Sequence, residues 1–186
     1  EVLREFPVVD AAEERMTDKS CLNVEDILRF ADTVPLEKVE DVLLRQIEMN
    51  SAIAEEGLRG AWGAQIGRIL MEDYGGDLKQ QAKAYAAAGS DARMSGCELP
   101  VVILSGSGNQ GITACMPVVT YAKQIGATKE QLCRALIVSD LVTVLQKNGI
   151  GRLSAYCGAI SAGVGAGAGA AEDGGQARVA AALHIA

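Results

Sequence analysis

Ile103-Leu104-Ser105-Gly106-Ser107-Gly108-Asn109-Gln110-Gly111-Ile112 is the stretch around which this 186-residue chain is organised. It lies within residues 99–122, which carry no charge, so its polar side chains must be paired where they are buried. The apolar segment Ile112–Lys123 predicts a helix, which places the polar turn at a helix N-terminus. Free N–H groups and the positive end of the helix dipole favour a carboxylate or phosphate there. The alternative is a buried turn that is hydrogen-bonded only internally; we favour the ligand site.

Before this turn, apolar residues recur at helical spacing. Asn23 offers an N-cap for a helix that runs to about Asp32. A second, amphipathic helix is predicted over Pro35–Gly57, because Pro suits the first helical turn. Two further helices are predicted, one over Ile66–Tyr74 and one over residues 77–94.

After the turn, the end of the helix is marked by Gly126, and Thr128–Gln131 has the pattern of a capping box for the next helix. Asn148-Gly149 should close that helix. The uncharged stretch Leu153–Ala171 predicts a buried central helix rather than a membrane span, because glycine and alanine contribute little transfer free energy. Residues 99–104 could form a short strand or an extended lead-in.

These signals predict an all-α fold with at most a short strand near residues 101–104. We expect a single helical domain over residues 1–186, with an arm at residues 1–20, a core at residues 21–186 and a helical pattern over residues 176–186. Because the sequence begins with Glu and ends without a cap, we expect a piece of a longer polypeptide.

The composition narrows the function classes. Hydrophobic residues make up 49% of the chain and aromatic residues 4%, which suits closely packed helices. The formal net charge of −7 argues against a nucleic-acid partner, and no basic amphipathic segment suggests a membrane surface. Five cysteines, an odd number without CxxC spacing, make a disulfide framework unlikely and favour the cytoplasm.

Gly106–Gly111 also matches the G-x-G-x-x-G pattern of dinucleotide-binding sites. That site needs a strand–helix–strand unit with an acidic residue further on, whereas the following segments have helical spacing. A nicotinamide-dependent oxidoreductase is therefore the third of our hypotheses. The Walker pattern is absent, because no Lys-Ser or Lys-Thr follows the glycines.

Taken together, several motifs resemble the serine dehydratase α-chain-like family, and most closely its iron–sulfur L-cysteine desulfidase group and that group's uncharacterised relatives. The central one is Ser105–Ile112, which looks like the family signature SGSGNQG. Similar stretches cover most of the chain from about residue 20; they are Gln46–Asn50, Glu55–Leu58, Ala92–Cys97 and Ser154–Ala159.

This resemblance implies a helical catalytic domain with a [4Fe–4S] cluster held by three cysteine thiolates. The iron left open would polarise the leaving thiol or hydroxyl while a base removes the Cα proton, giving pyruvate, ammonia and sulfide or water. Cys157 matches the first cluster cysteine. The other two family cysteines and an N-terminal Gly-Cys-Thr-Glu-Pro stretch are not in this sequence. We therefore expect the fragment to be inactive alone and to bind no metal.

The carboxylate of a small amino-acid substrate should be held by the polar turn, through Ser105, Ser107, Gly108, Asn109, Gln110 and Gly111. Lys147 and Arg152 are weaker candidates for the same role. The runner-up function is a non-catalytic helical domain that binds a small anion at this turn. A homo-oligomer is compatible with either function.

The remaining reactive side chains are expected to be structural. Four cysteines should be small core residues: Cys21, Cys97, Cys115 and Cys133. His184, the only histidine, should be structural or exposed, and Glu55-Glu56 should be a solvated pair rather than a proton-transfer pair.

Overall fold

The computed structural model describes residues 19, 21–150 and 157–170, and the regular structure in this part of the chain is helical throughout. The elements are α1 Val24–Thr33, a 3-10 turn at Leu36–Lys38, α2 Glu40–Arg59, α3 Ile66–Tyr74, α4 Leu78–Met94, α5 Gly108–Ile125, α6 Lys129–Ile150 and α7 Gly158–Ala170. The all-α prediction is confirmed. Residues 99–104 form an extended lead-in and no strand. The predicted arm, apart from Lys19, and the pattern over residues 176–186 lie outside the described residues.

Three predicted helix boundaries that rest on local capping chemistry are confirmed. Asn23 caps α1, because its Oδ1 accepts from the backbone N–H of Asp26 at 2.9 Å. The capping box before α6 is reciprocal: Thr128 N donates to Gln131 Oε1 at 2.8 Å, and Gln131 N donates to Thr128 Oγ1 at 3.2 Å. Gly126 ends α5 in the left-handed conformation, with φ at 68°.

Two predicted boundaries are wrong. The helix predicted over Pro35–Gly57 is divided, because Leu36–Lys38 forms a 3-10 turn and Val39 adopts φ −126° and ψ −15° before α2 begins. Leu36 and Val39 pack against the core from this irregular segment, so burial of their side chains overrides the helical spacing. Asn148-Gly149 does not close α6, which continues to Ile150, because Gly149 does not take the positive φ that a glycine stop requires.

Helix α5 lies at the centre of the described bundle, packed against α2, α4, α6 and α7. Its buried face includes Ile112, Met116 and Val119. At these positions the side chain is removed from water almost completely, which stabilises the fold by roughly 1.5–3 kcal/mol for each large apolar residue. The polar turn therefore lies at the N-terminus of the central helix of the described bundle.

Helix α7 packs closely on α5 and α6 because its residues are small. A Cβ atom at Gly165 would overlap the Ser139 carbonyl oxygen, and one at Gly169 would lie 2.5 Å from the Ala135 carbonyl oxygen. The predicted buried Gly/Ala-rich helix is therefore confirmed over Gly158–Ala170. Among the described helices, none is both long and apolar enough to cross a membrane.

Candidate functional site

The glycine-rich turn ends at the N-cap of α5. Ser107 has extended backbone angles and accepts from Gln110 N through its Oγ at 3.4 Å, while its carbonyl accepts from Gly111 N at 3.2 Å. The N–H groups of Gly108 and Asn109 have no acceptor among the residues that the structure describes. The first turn of α5 therefore has two unbonded backbone donors, at the buried Gly108 and the half-buried Asn109, at the positive end of an 18-residue helix.

Gln110 is wholly buried, and its side chain holds the turn closed. Its Oε1 accepts from Ser105 N at 3.1 Å, and its Nε2 donates to Ser105 Oγ at 3.3 Å. A Cβ atom at Gly106 would lie 2.7 Å from the same Oε1, so the backbone passes directly over the amide. The side chain of Gln110 thus forms its hydrogen bonds within the protein, which agrees for this residue with the alternative of an internally hydrogen-bonded turn.

The N-terminus of α7 lies beside this turn. Gln110 Nε2 also donates to Ser161 Oγ, at 3.5 Å, and a Cβ atom at Gly158 would lie 3.5 Å from the same nitrogen. Cys157 immediately precedes α7, is exposed, and accepts from Ile160 N through its carbonyl at 3.2 Å. The structure therefore brings the turn and the helix that follows Cys157 together at one end of the bundle.

Arg93, to which the sequence analysis assigned no role although it lies in the stretch Ala92–Cys97, lies against the first turn of α5. Its Nη1 donates to Asn109 Oδ1 at 3.1 Å, and a Cβ atom at Gly108 would lie 2.7 Å from Arg93 Cδ. None of the ion pairs between described residues includes Arg93. Arg93 lies in the last turn of α4, where the negative end of that helix dipole stabilises its positive charge. The N-terminus of α5, which also faces Arg93, is the positive end of a dipole and repels the same charge.

Asn50 of α2 fixes the lead-in against α5 from the other side. This wholly buried amide accepts from Val102 N at 2.9 Å and donates to the carbonyls of Val102 at 3.3 Å and Gly111 at 3.2 Å. A Cβ atom at Gly111 would lie 3.0 Å from Ile103 Cα, so only glycine allows this approach. Two buried amides, Asn50 and Gln110, therefore determine the shape of the turn.

A second buried polar side chain, Gln46, precedes Asn50 by one turn of α2. Gln46 Nε2 donates to Asp140 Oδ1 at 2.9 Å, and the thiol of Cys115 points to the Gln46 carbonyl at 3.9 Å. Burial raises the pKa of Asp140 to about 7, although the hydrogen bond from Gln46 opposes the rise. Burial also raises the pKa of Cys115, and the neighbouring charge of Asp140 raises it further. Cys115 is thus an unreactive core thiol, as predicted.

The other predicted side chains are dispersed. Cys133 is buried and Cys97 half-buried, whereas Cys21 is exposed, so its assignment to the core is wrong; it precedes the N-cap of α1 rather than lying on a packed helix face. Glu56 is half-buried and accepts from Trp62 Nε1 at 3.2 Å, which is a structural contact.

Of the weaker candidates, Lys147 is buried on α6. Arg152, Leu153–Tyr156 and His184 lie outside the described residues.

The described residues do not form a complete metal centre. Within residues 21–150 and 157–170, no group of three or more histidine, cysteine, aspartate or glutamate side chains could hold a metal ion. A cluster with three protein ligands needs two thiolates besides Cys157. The thiol of Cys157 is exposed at the N-terminus of α7 and could fill one ligand position. Among the described residues, Cys157 is not part of a group of three or more candidate ligands.

Comparison with known proteins identifies relatives that match most of this chain. A UPF0597 protein of Desulfitobacterium hafniense is 57% identical over 88% of this chain and 38% of its own length. UPF0597 proteins of Lachnoclostridium phytofermentans and Treponema denticola are 53% and 47% identical, over 87% and 88% of this chain and 39% of each relative. The chain thus spans about two fifths of the length of these relatives. No solved structure matches it. Because the family model described as "serine dehydratase alpha chain" matches residues 7–186, the chain belongs to the serine dehydratase alpha chain family.

Proposed function

We propose that this chain forms the carboxylate-binding part of an amino-acid lyase of the L-serine dehydratase or L-cysteine desulfidase type. Family membership supports a lyase-type enzyme. The observation that carries the carboxylate site is the position of Arg93, whose guanidinium lies against the first turn of α5. A full positive charge and a helix N-terminus repel each other unless an anion lies between them.

The carboxylate of the substrate would accept from Arg93 and from the N–H groups of Gly108 and Asn109. Charge-assisted hydrogen bonds of this kind contribute roughly 1.5–3 kcal/mol each. Backbone N–H groups carry no titratable charge, so donation from them does not compete with the proton transfer at Cα. The side chains of Ser107 and Gln110 shape the site by holding the turn, since their polar atoms already bond to it.

The reaction is the loss of a proton from Cα and of hydroxide or hydrosulfide from Cβ, which leaves aminoacrylate; water then converts this to pyruvate and ammonia. Positive charge beside the carboxylate stabilises the negative charge that develops when the Cα proton leaves.

Cys157 is proposed as one ligand of a [4Fe–4S] cluster. When bound, such a cluster would supply a Lewis acid for the leaving hydroxyl or thiol. The contribution of this chain is the position of Cys157 next to α7, whose first turn contacts the carboxylate-binding turn through Gln110.

The test uses the full-length protein, reconstituted anaerobically with iron and sulfide and assayed for pyruvate from L-serine and from L-cysteine. We expect pyruvate from at least one of them. In the Cys157→Ser variant we expect the visible absorption of the cluster and the activity to be lost together, whereas Cys21→Ser, which removes another exposed thiol, should leave both intact. No pyruvate from either amino acid in a protein with a full complement of iron would refute the proposal.

A small-anion-binding domain without catalysis is the second candidate. It is favoured because the side chains of Ser107 and Gln110 form hydrogen bonds within the protein. Only backbone N–H groups and Arg93 then remain to bind a ligand, and these donors distinguish poorly between an amino acid and another small anion. Binding of acetate as tight as that of L-serine, without turnover, would support it. The nicotinamide-dependent hypothesis required a parallel sheet at residues 99–104, and the described residues have no strand there.

A further inference from the structure

We infer that Gln110 is a positioning residue, which sets the separation between the carboxylate-binding turn and the first turn of α7 rather than contacting the substrate. The inference rests on the proposed function only in naming the turn as the carboxylate site. The contacts that support it are those of the Gln110 side chain.

The hydrogen-bonding capacity of this amide is used on both sides. Ser105 N donates to Oε1 at 3.1 Å, and Nε2 donates to Ser105 Oγ at 3.3 Å and to Ser161 Oγ at 3.5 Å. An amide nitrogen has two donor hydrogens, and both have acceptors here. A substrate could bond to Nε2 only by displacing one of these serines from a wholly buried site.

The direction of the hydrogen bonds is fixed by Ser161. Its hydroxyl donates to the carbonyl of Gly158 at 2.7 Å, so its single proton is committed and it can only accept from Gln110. Consequently Nε2 must face α7 and Oε1 must face the Ser105 N–H group. Ser105, Gln110, Ser161 and Gly158 form a continuous polar chain, which we call the amide bridge. It joins the lead-in of α5 to the residue that follows Cys157.

The backbone lies close to the bridge on both sides, and at Gly106 the absence of a Cβ atom leaves room for it. A Cβ atom at Gly106 would lie 2.7 Å from Oε1, and one at Gly158 would lie 3.5 Å from Nε2. The separation of the turn and α7 is therefore the width of one carboxamide with its two hydrogen bonds. In the proposed enzyme this separation sets the distance between the turn that binds the substrate's carboxylate and Cys157, and so the position of the Cβ leaving group relative to Cys157.

Ser161→Ala breaks the bridge at α7 and leaves the Ser105 contacts intact. Ser139→Ala is the matched control: Ser139 is also buried, donates to the Ala114 carbonyl at 2.8 Å, and lies on α6 away from the turn. Circular dichroism melting verifies that each variant is folded. Gln110→Met, which is similar in length and lacks the amide, breaks the bridge at its centre.

The first measurement is hydrogen exchange of the Ser105 backbone N–H group in the full-length protein without any ligand. We expect exchange to accelerate roughly tenfold in Ser161→Ala, more in Gln110→Met, and not in Ser139→Ala, because local opening exposes this N–H group. Unchanged exchange in Ser161→Ala would show that the bridge does not hold the turn and would overturn the inference.

The second measurement is steady-state kinetics of the full-length enzyme. Ser161→Ala should lower kcat roughly tenfold or more with KM within about twofold, because misplacement affects the reacting atoms while carboxylate binding persists. A rise in KM at constant kcat would place Gln110 in the binding site and overturn the inference. If the wild-type enzyme makes no pyruvate while the exchange result holds, the proposed function fails and the bridge remains.

Discussion

Replacing Asn50 with alanine tests whether the lead-in is held by α2. The substitution removes one acceptor and two donor contacts, and it leaves the N–H and C=O groups of Val102 without their partner. The Gly111 carbonyl lies in the first turn of α5 and keeps its place in the helical ladder. An orphaned buried polar group costs about 1–3 kcal/mol, and Val102 is only half-buried, so two groups should cost about 3 kcal/mol.

The assay is equilibrium unfolding in urea. With an m-value of about 2–3 kcal/mol/M, Asn50→Ala should lower the midpoint by about 1–1.5 M without changing m. Asn23→Ala is the control, because it removes a single exposed helix cap and should cost about 1 kcal/mol. Equal losses in the two variants would refute the reasoning, since Asn50 would then be no more than an ordinary hydrogen-bonding side chain.

A near-isosteric variant separates hydrogen bonding from packing. N50D keeps an acceptor for the Val102 N–H group but turns a carboxylate oxygen towards two carbonyls. Its stability should fall as the pH rises, because the folded state favours the protonated carboxyl group. If N50D were as stable as the wild type at pH 8, the amide would not be needed as a donor.

Two further predictions concern the core. Asp140 has a pKa raised to about 7 by burial, so the folded state binds a proton that the unfolded state has already lost above about pH 4. The free energy of unfolding should therefore fall between about pH 4 and 7, by at most about 1.4 kcal/mol per pH unit, and urea titrations of Asp140→Asn should show this slope abolished. Gly165→Ala should destabilise the fold by roughly 1–3 kcal/mol, because its Cβ atom would overlap the Ser139 carbonyl oxygen. Gly163→Ala is the control: its Cβ atom would have no neighbour within 4 Å, so the substitution should stabilise α7 by up to about 1 kcal/mol. Equal shifts of the two variants in a thermal melt would contradict this packing of α7.

The parts of the fold that the sequence predicts correctly depend on residues close together in the chain. The cap at Asn23, the box at Thr128–Gln131 and the stop at Gly126 each involve partners within about four residues, so their chemistry is visible in the sequence alone. The break at Val39 was missed because it follows from burial against other helices, and a helical spacing of apolar residues is compatible with both outcomes.

The site is less accessible to such reasoning because its contacts join distant residues. Asn50 and Val102 are 52 positions apart, and Gln110 and Ser161 are 51 apart. Arg93 lies in the stretch Ala92–Cys97 that carries part of the family resemblance, but nothing local gives it a role, since a charged residue in the last turn of a helix is explained by the helix dipole. The motif indicated that a polar turn begins a helix, but not which side chains would surround it.

The three glycines of the G-x-G-x-x-G match show why the motif predicts a position better than a ligand. Each glycine is required by a different neighbour within the protein: Gly106 by the Gln110 amide, Gly108 by Arg93, and Gly111 by the lead-in at Ile103. In a dinucleotide site the same spacing admits a pyrophosphate, whereas here protein atoms fill the space that all three glycines leave. Gly108 differs from the other two glycines because its neighbour is a positive side chain that lies beside unbonded N–H groups, so the motif marks the position of the proposed anion site without identifying the anion.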